Sequence, residues 1–79
     1  MRILDPRHSK RLDGVGLYLT REEAIQLQSY LGQLLADPGM HHVHLSSDNY
    51  QKEITVSIYN MANLEDFDER SKKLIKEDI

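Results

Sequence analysis

The segment GMHHVHL, at positions 39–45, holds three of the four histidines of this chain. His42 and His44 stand two positions apart, so on a β-strand both side chains point to the same face, whereas His41 points to the opposite face. Neutral imidazole is a good ligand for zinc, nickel and copper. With a carboxylate such as Glu53 on a neighbouring strand, the pair has the chemistry of a metal site.

The ligand set of this candidate site is incomplete. His42, His44 and Glu53 leave a zinc ion without its fourth protein ligand, as in catalytic or interfacial sites. Two other uses of the histidine pair stay open, namely polar residues on a solvent-facing strand and a contact surface that responds to pH. The polar strand face is the simplest interpretation. We therefore predict no cofactor, and keep a zinc or nickel site as the alternative.

Other residue patterns give no support for catalysis. Ser57 can lie near the histidines, but neither a strand-to-helix elbow nor a glycine-rich oxyanion loop accompanies it. The segment DGVG at positions 13–16 leads into a β-like run, whereas a phosphate-binding loop opens a helix. We therefore predict a protein without enzymatic activity.

Composition is typical of one small globular domain. The chain has 79 residues, of which 39% are hydrophobic and 29% charged. It contains no cysteine, which excludes disulfides and thiolate zinc sites and favours the cytoplasm. No apolar run approaches the roughly 20 residues of a membrane span, so we expect no membrane contact.

Charge is distributed unevenly along the chain, whose net charge is −3. Positions 1–12 carry four basic residues and one acidic residue, whereas positions 13–60 carry six acidic and two basic residues. Proteins that bind nucleic acids usually present a basic stripe across the folded face. The expected partner is therefore another protein and not a nucleic acid.

The clearest predicted element is a helix that begins near Arg21. Thr20 and Glu23 have the spacing of a capping box, and the segment DPG at positions 37–39 ends the helix. Between these limits, apolar residues recur at three- and four-residue steps, which predicts a stripe that packs on another element. The stripe comprises Ala24, Leu27, Leu31, Leu34 and Leu35.

Two β-like runs follow, at positions 40–46 and 51–60, and the polar segment between them predicts a hairpin. Apolar and polar residues alternate in the second run, as in a sheet with one buried face. Val43 and Leu45 should face the same core, which places His42 and His44 on the open side. We predict an interaction surface there that comprises Tyr18, His42, His44, Thr55, Ser57 and Tyr59.

The two ends of the chain complete the predicted elements. Alternation at positions 15–19 predicts a further strand, and Asp13-Gly14 before it predicts a two-residue turn. Positions 1–12 are predicted to be an edge strand or a partly mobile arm, because Pro6 interrupts an earlier strand. Positions 63–79 predict a C-terminal helix, capped by Asn63, whose apolar stripe faces its own chain, a second copy or another protein.

Together these elements predict a single α+β domain over positions 1–79. We expect a small antiparallel sheet of three to four strands, with run 51–60 in its centre, one long helix packed on one face, and the C-terminal helix. A polar, acidic sheet face without a catalytic constellation is typical of a non-enzymatic interaction or regulatory module. A homodimer, formed through the terminal helix or a sheet edge, is compatible with this function.

Overall fold

The structure is a computed structural model that describes residues 1–79. The chain is α+β, and its elements follow the predicted order. They are β1 (Ile3–Asp5), β2 (Lys10–Leu12), α1 (Arg21–Ala36), β3 (His42–Ser46), β4 (Glu53–Ser57), a 3-10 turn (Leu64–Asp66) and α2 (Glu69–Glu77). The strands form two antiparallel hairpins instead of one sheet of three or four strands.

The chain divides into two compact units. One unit comprises residues 1–17 and 60–79, and the other comprises residues 18–59. That the whole chain acts as a single domain stays a prediction. Each unit is described by itself below.

Helix α1 has the limits that its capping signals predict. The hydroxyl of Thr20 accepts a hydrogen bond from the backbone N–H of Glu23 at 3.1 Å, and the carboxylate of Glu23 accepts one from the N–H of Thr20 at 2.8 Å. At the other end, the Asp37 carboxylate accepts a hydrogen bond from the N–H of Gly39 at 2.9 Å. The N-terminal end is therefore closed by a side-chain capping box, whereas at the C-terminal end the backbone N–H of Asp37 donates to the carbonyl oxygen of Gln33 at 3.0 Å.

The β3–β4 hairpin has the predicted register. Val43 lies opposite Val56, and Leu45 lies opposite Ile54. Val43 and Leu45 are 9% and 5% exposed, and α1 lies against β3 with Leu34 as its buried residue. The period-two pattern therefore identified the buried face of this hairpin correctly.

Only part of the predicted stripe of α1 is buried. Leu34 is buried and Leu27 is half-buried, but Leu31 and Leu35 are 37% and 77% exposed. Ala24 is exposed as well. Neighbouring strands lie about 4.8 Å apart, so a two-stranded hairpin is too narrow to cover the full width of the stripe.

The N-terminal residues form a hairpin of their own. β1 pairs antiparallel with β2, and Asp5 lies opposite Lys10. Pro6 begins the connecting turn, in which the carboxylate of Asp5 accepts hydrogen bonds from the N–H groups of Arg7 and His8 at 3.0 and 3.3 Å. Positions 1–12 therefore supply both strands of this hairpin.

The strand predicted at positions 15–19 is wrong. No strand occurs there, and Asp13-Gly14 is not a hairpin turn, because β2 already pairs with β1. The apolar residues of the segment stay exposed, Val15 at 61% and Leu17 at 49%. Since this strand is missing, β4 has one neighbour and is not central.

The C-terminal helix begins later than predicted. The 3-10 turn Leu64–Asp66 comes first, and Asp68 caps α2 by accepting a hydrogen bond from the N–H of Ser71 at 2.7 Å. The predicted cap, Asn63, instead accepts a hydrogen bond from the N–H of Asn60 at 2.8 Å. The cap is thus an acidic residue further along the chain, which suits the positive end of the helix dipole.

Helix α2 packs within its own unit. Leu74 and Ile75 are 6% and 7% exposed. The guanidinium of Arg2 donates to the backbone oxygens of both residues, at 3.2 and 3.3 Å. The Leu74 oxygen also accepts the N–H of the cap residue Asp78 at 2.9 Å, and the carbonyl groups at this end carry the negative end of the helix dipole. Arg2 therefore ties the start of the chain to the end of α2.

The cap of α2 generates a pH-dependent prediction. The hydrogen bonds from Ser71 hold the pKa of Asp68 below its ordinary value of 3.8. A carboxyl group whose pKa is lowered by folding stabilises the folded state above the unfolded pKa, and this contribution is lost as the pH falls through the folded pKa. Asp68→Ala should lower the free energy of unfolding by about 1 kcal/mol at pH 7.

Asp68→Asn is the matched control, because its side-chain oxygen still caps the helix but does not titrate. Urea unfolding should show the wild type losing stability relative to Asp68→Asn as the pH falls below 3.8. Parallel pH profiles of the two proteins would contradict the prediction.

Candidate functional site

The candidate site is the outward surface of the β3–β4 hairpin, here called the open face. The register sets His42 opposite Ser57 and His44 opposite Thr55. Because side chains alternate along a strand, the burial of the apolar residues of β3 turns these polar residues outward. All members of the open face are exposed, and they are His42, His44, Glu53, Thr55 and Ser57.

His44 makes the central contacts of the open face. Its Nδ1 atom lies 2.6 Å from Glu53 Oε1 and 2.8 Å from Thr55 Oγ1. A carboxylate oxygen has no hydrogen to donate, so at this distance from Glu53 the hydrogen lies on Nδ1, which donates it to Thr55 Oγ1. In the neutral ring, Nε2 is then the nitrogen that accepts a hydrogen bond or binds a metal ion.

His42, the other histidine of the pair, lies beside His44. The ring centroids of His42 and His44 are 4.7 Å apart, with an angle of 72° between the ring planes. His41 precedes β3, which begins at His42. Of the three histidines in the sequence motif, His42 and His44 therefore belong to the open face.

The three predicted metal ligands lie on neighbouring strands, and Glu53 Oε1 already contacts Nδ1 of His44. No group of three or more histidine, cysteine or acidic residues in the structure has the arrangement of a metal site. In many metal sites a carboxylate binds the second ring nitrogen of a histidine ligand and thereby orients it. Glu53 occupies this orienting position, which leaves His42 and His44 as the donor pair.

The two predicted tyrosines lie outside the strands of the hairpin. Tyr18 is 97% exposed and precedes α1, whereas Tyr59 is half-buried and follows β4 by two residues. The residues that the structure brings together are therefore those of β3 and β4. The tyrosines remain predicted members of the interaction surface.

The open face is polar, with a single acidic side chain. That side chain is Glu53, and His44 is its partner.

The other unit contains a second concave surface of about 590 Å³. Its lining residues are His8, Ser9, Lys10, Arg11, Asp13, Arg70 and Ile79. Arg70 donates to Ser9 Oγ at 2.9 Å and to the backbone oxygen of Ile79 at 2.7 Å. Arg11 pairs with Asp13, which raises the pKa of Arg11. Since both guanidinium groups already have partners, this surface offers less free positive charge than the basic segment of the sequence indicates.

Arg70 is the residue of this surface that sequence reasoning missed. It lies 61 positions from Ser9, and no local pattern connects the two.

Comparison with protein-family models, curated proteins and solved structures gives no match for this chain. Among its helices, none combines the length and the apolar character that crossing a membrane requires. The functional inference therefore rests on the geometry of the surfaces described above.

The contact between His44 and Glu53 predicts a definite ring tautomer. In the wild type, the neutral His44 ring should carry its hydrogen on Nδ1, and Glu53→Ala should shift this balance towards Nε2 because the negative charge beside Nδ1 is lost, while the Thr55 hydroxyl can donate as well as accept. Nitrogen-detected NMR of the imidazole groups measures the two forms directly.

His8 provides an internal control, because its Nδ1 lies 2.8 Å from Asp5 Oδ2 in the other hairpin. Its signals should be the same in both proteins. If the His44 signals do not respond to Glu53→Ala, the proposed orientation of the ring is wrong.

Proposed function

We propose that this protein is a small, non-enzymatic interaction module that binds another protein through its open face. The observation that supports this proposal is the fixed arrangement of exposed side chains around His44. The side chains of His44 and Glu53 are 49% and 53% exposed, yet His44 Nδ1 and Glu53 Oε1 lie 2.6 Å apart. Such exposed pairs add little to folding stability, but groups that are ordered in advance lose less entropy when a partner binds.

The surroundings of the polar groups also support binding without catalysis. No polar or charged side chain of the chain is buried. Catalytic groups usually lie where burial and specific neighbours shift their pKa values. The pKa of Asp5 is lowered because its carboxylate accepts hydrogen bonds from His8 in a turn, and the pKa of Asp68 is lowered because its carboxylate accepts them from Ser71 in a helix cap.

The chemistry of the open face favours a polar protein surface as partner. Imidazole and hydroxyl groups both donate and accept hydrogen bonds, and they are available on both strands of the hairpin. The absence of cysteine and the net charge of −3 support a cytoplasmic location and a protein partner in preference to a nucleic acid.

The alternative is a protein that binds a divalent metal ion through His42 and His44. The observation that favours it is the position of Glu53 Oε1, 2.6 Å from Nδ1 of His44, which leaves Nε2 of the neutral ring to bind zinc or nickel. Water or a second molecule would have to supply the remaining ligands.

Removal of both imidazoles tests the interaction module. The immobilised wild type should capture a specific protein from a native lysate, and the double variant His42→Ala/His44→Ala should not capture it. Tyr50→Ala is the matched control, because Tyr50 is 85% exposed but lies in the hairpin turn, outside the open face.

The captured protein is then purified and titrated against all three chains. Binding should be at least about ten-fold weaker for the double variant, since each lost polar contact at an interface typically contributes about 1 kcal/mol or more. Equal affinity of the wild type and the double variant would refute the proposal, as would failure to capture any specific partner.

Thermal unfolding in excess zinc or nickel tests the alternative. The metal should raise the melting temperature of the untagged wild type and leave that of His42→Ala/His44→Ala unchanged, because only the wild type has the donor pair. Glu53→Ala should show a smaller rise, since loss of an orienting carboxylate typically weakens metal binding about ten- to a hundred-fold. A wild-type melting curve that does not respond to either metal would exclude this alternative.

A further inference from the structure

We propose that two adjoining recesses around Arg70 bind a compact compound that carries two phosphate groups. The large recess is the concave surface of about 590 Å³ described above. The small recess, of about 340 Å³, shares Ser9, Arg70 and Ile79 with the large one and adds Lys73. Both recesses lie in the unit of residues 1–17 and 60–79, whereas the open face lies in the other unit, so this site does not rest on the proposed function.

Arg70 is a fixed guanidinium group that lines both recesses. Its Nε donates to Ser9 Oγ at 2.9 Å, its Nη2 to the backbone oxygen of Ser9 at 3.1 Å, and its Nη1 to the backbone oxygen of Ile79 at 2.7 Å. A guanidinium has five N–H donors, so each Nη keeps one further N–H. Oxygens of a phosphate group are the acceptors that such a pair of donors suits best.

The backbone of Ser9 shows that this arrangement is specific. Its φ is 51°, which lies in the left-handed region that serine adopts uncommonly. Strained conformations of this kind persist where the surroundings stabilise them, and they cluster at ligand sites. Here Arg70 binds both the hydroxyl and the carbonyl oxygen of Ser9. The guanidinium is therefore ordered before a ligand arrives, which lowers the entropic cost of binding.

Each recess also contains an ammonium group without a counter-ion. Lys10 lines the large recess and Lys73 lines the small one. Neither ammonium group makes an ion pair. The one acidic side chain in the lining, Asp13, pairs with Arg11. Even with Arg70 counted as fully paired, both recesses thus keep a positive charge, in a chain whose net charge is −3.

The distribution of these donors favours two phosphate groups over one carboxylate. A carboxylate has two oxygens and one charge, whereas a phosphate group has three acceptor oxygens and a charge of roughly −1.5 to −2 at neutral pH. Lys10 and Lys73 lie in different recesses, and Arg70 is common to both. A ligand with one phosphate group in each recess would contact all three cations, whereas a single phosphate group would occupy one recess only.

The lining also indicates what the rest of the ligand is. No tyrosine or phenylalanine lines either recess, and Ile79 is the one apolar residue among the lining side chains. Bases of nucleotides bind largely by stacking on aromatic side chains. The ligand class is therefore a pyrophosphate or a small bisphosphate without a base.

Calorimetric titration of the untagged full chain with sodium pyrophosphate tests the site, at constant ionic strength so that general screening does not change. Pyrophosphate should bind with a dissociation constant on the order of 0.1 mM, as expected for a ligand of this small size. Inorganic phosphate should bind at least about ten-fold more weakly, because it fills one recess.

Substitutions in the lining test the assignment of the donors. Lys10→Ala and Lys73→Ala should each weaken pyrophosphate binding at least about five-fold, since each removes a charge-assisted contact. Lys76→Ala is the matched control, because it removes the same charge from α2 but lines neither recess. Arg70→Lys should weaken binding at least about ten-fold, because lysine keeps the charge but not the planar fork. Circular dichroism checks that each variant keeps its fold.

NMR spectroscopy shows where the ligand binds. Pyrophosphate should shift the amide signal of Ser9 and the Nε signal of Arg70, and should leave the ring signals of His42 and His44 unchanged. Shifts confined to the open face would place the ligand elsewhere and contradict the proposed site.

Four further outcomes would overturn the proposal. A wild type that does not bind pyrophosphate excludes the site, and equal affinities for phosphate and pyrophosphate exclude a ligand that spans both recesses. An equal loss of affinity in Lys76→Ala and Lys73→Ala would reduce binding to general attraction by positive charge. Citrate that binds as tightly as pyrophosphate would show that phosphate groups are not the chemistry recognised.

Discussion

The burial of Val43 and Leu45, at 9% and 5% exposure, is the constraint on which the organisation of the hairpin depends. Side chains alternate along a strand, so a slip of one residue would expose both of these apolar groups and bury His42 and His44. Buried imidazoles without partners are costly, and the lost apolar burial would add to that cost. The register of the core therefore decides which polar groups the outer surface displays.

The contacts of the open face follow from this register. Glu53 reaches His44 diagonally across the strand pair, and Thr55 reaches it from directly opposite. One arrangement of the ring thus serves both candidate functions, because it directs the free nitrogen away from Glu53. The two candidate functions differ in what contacts this nitrogen, which is either a group of a partner protein or a metal ion.

Helix α1 shows what a small core leaves uncovered. The hairpin buries Leu34, while Leu35 and much of the adjoining apolar surface remain exposed.

The sequence by itself determined the features that depend on neighbours along the chain. The capping box of Thr20 and Glu23, the limits of α1 and the division of His41 from His42 and His44 all follow from local hydrogen bonds or from strand period. Tertiary structure decided the rest: the strand expected at positions 15–19 is absent, and the partner of β2 is β1. Arg2 and Arg70 bind groups 72 and 61 positions away. The physical reason is that a strand exists only when a second backbone satisfies its hydrogen bonds. The alternation of apolar and polar residues within one segment specifies neither which segment pairs with it nor how much of a packed helix the resulting sheet covers.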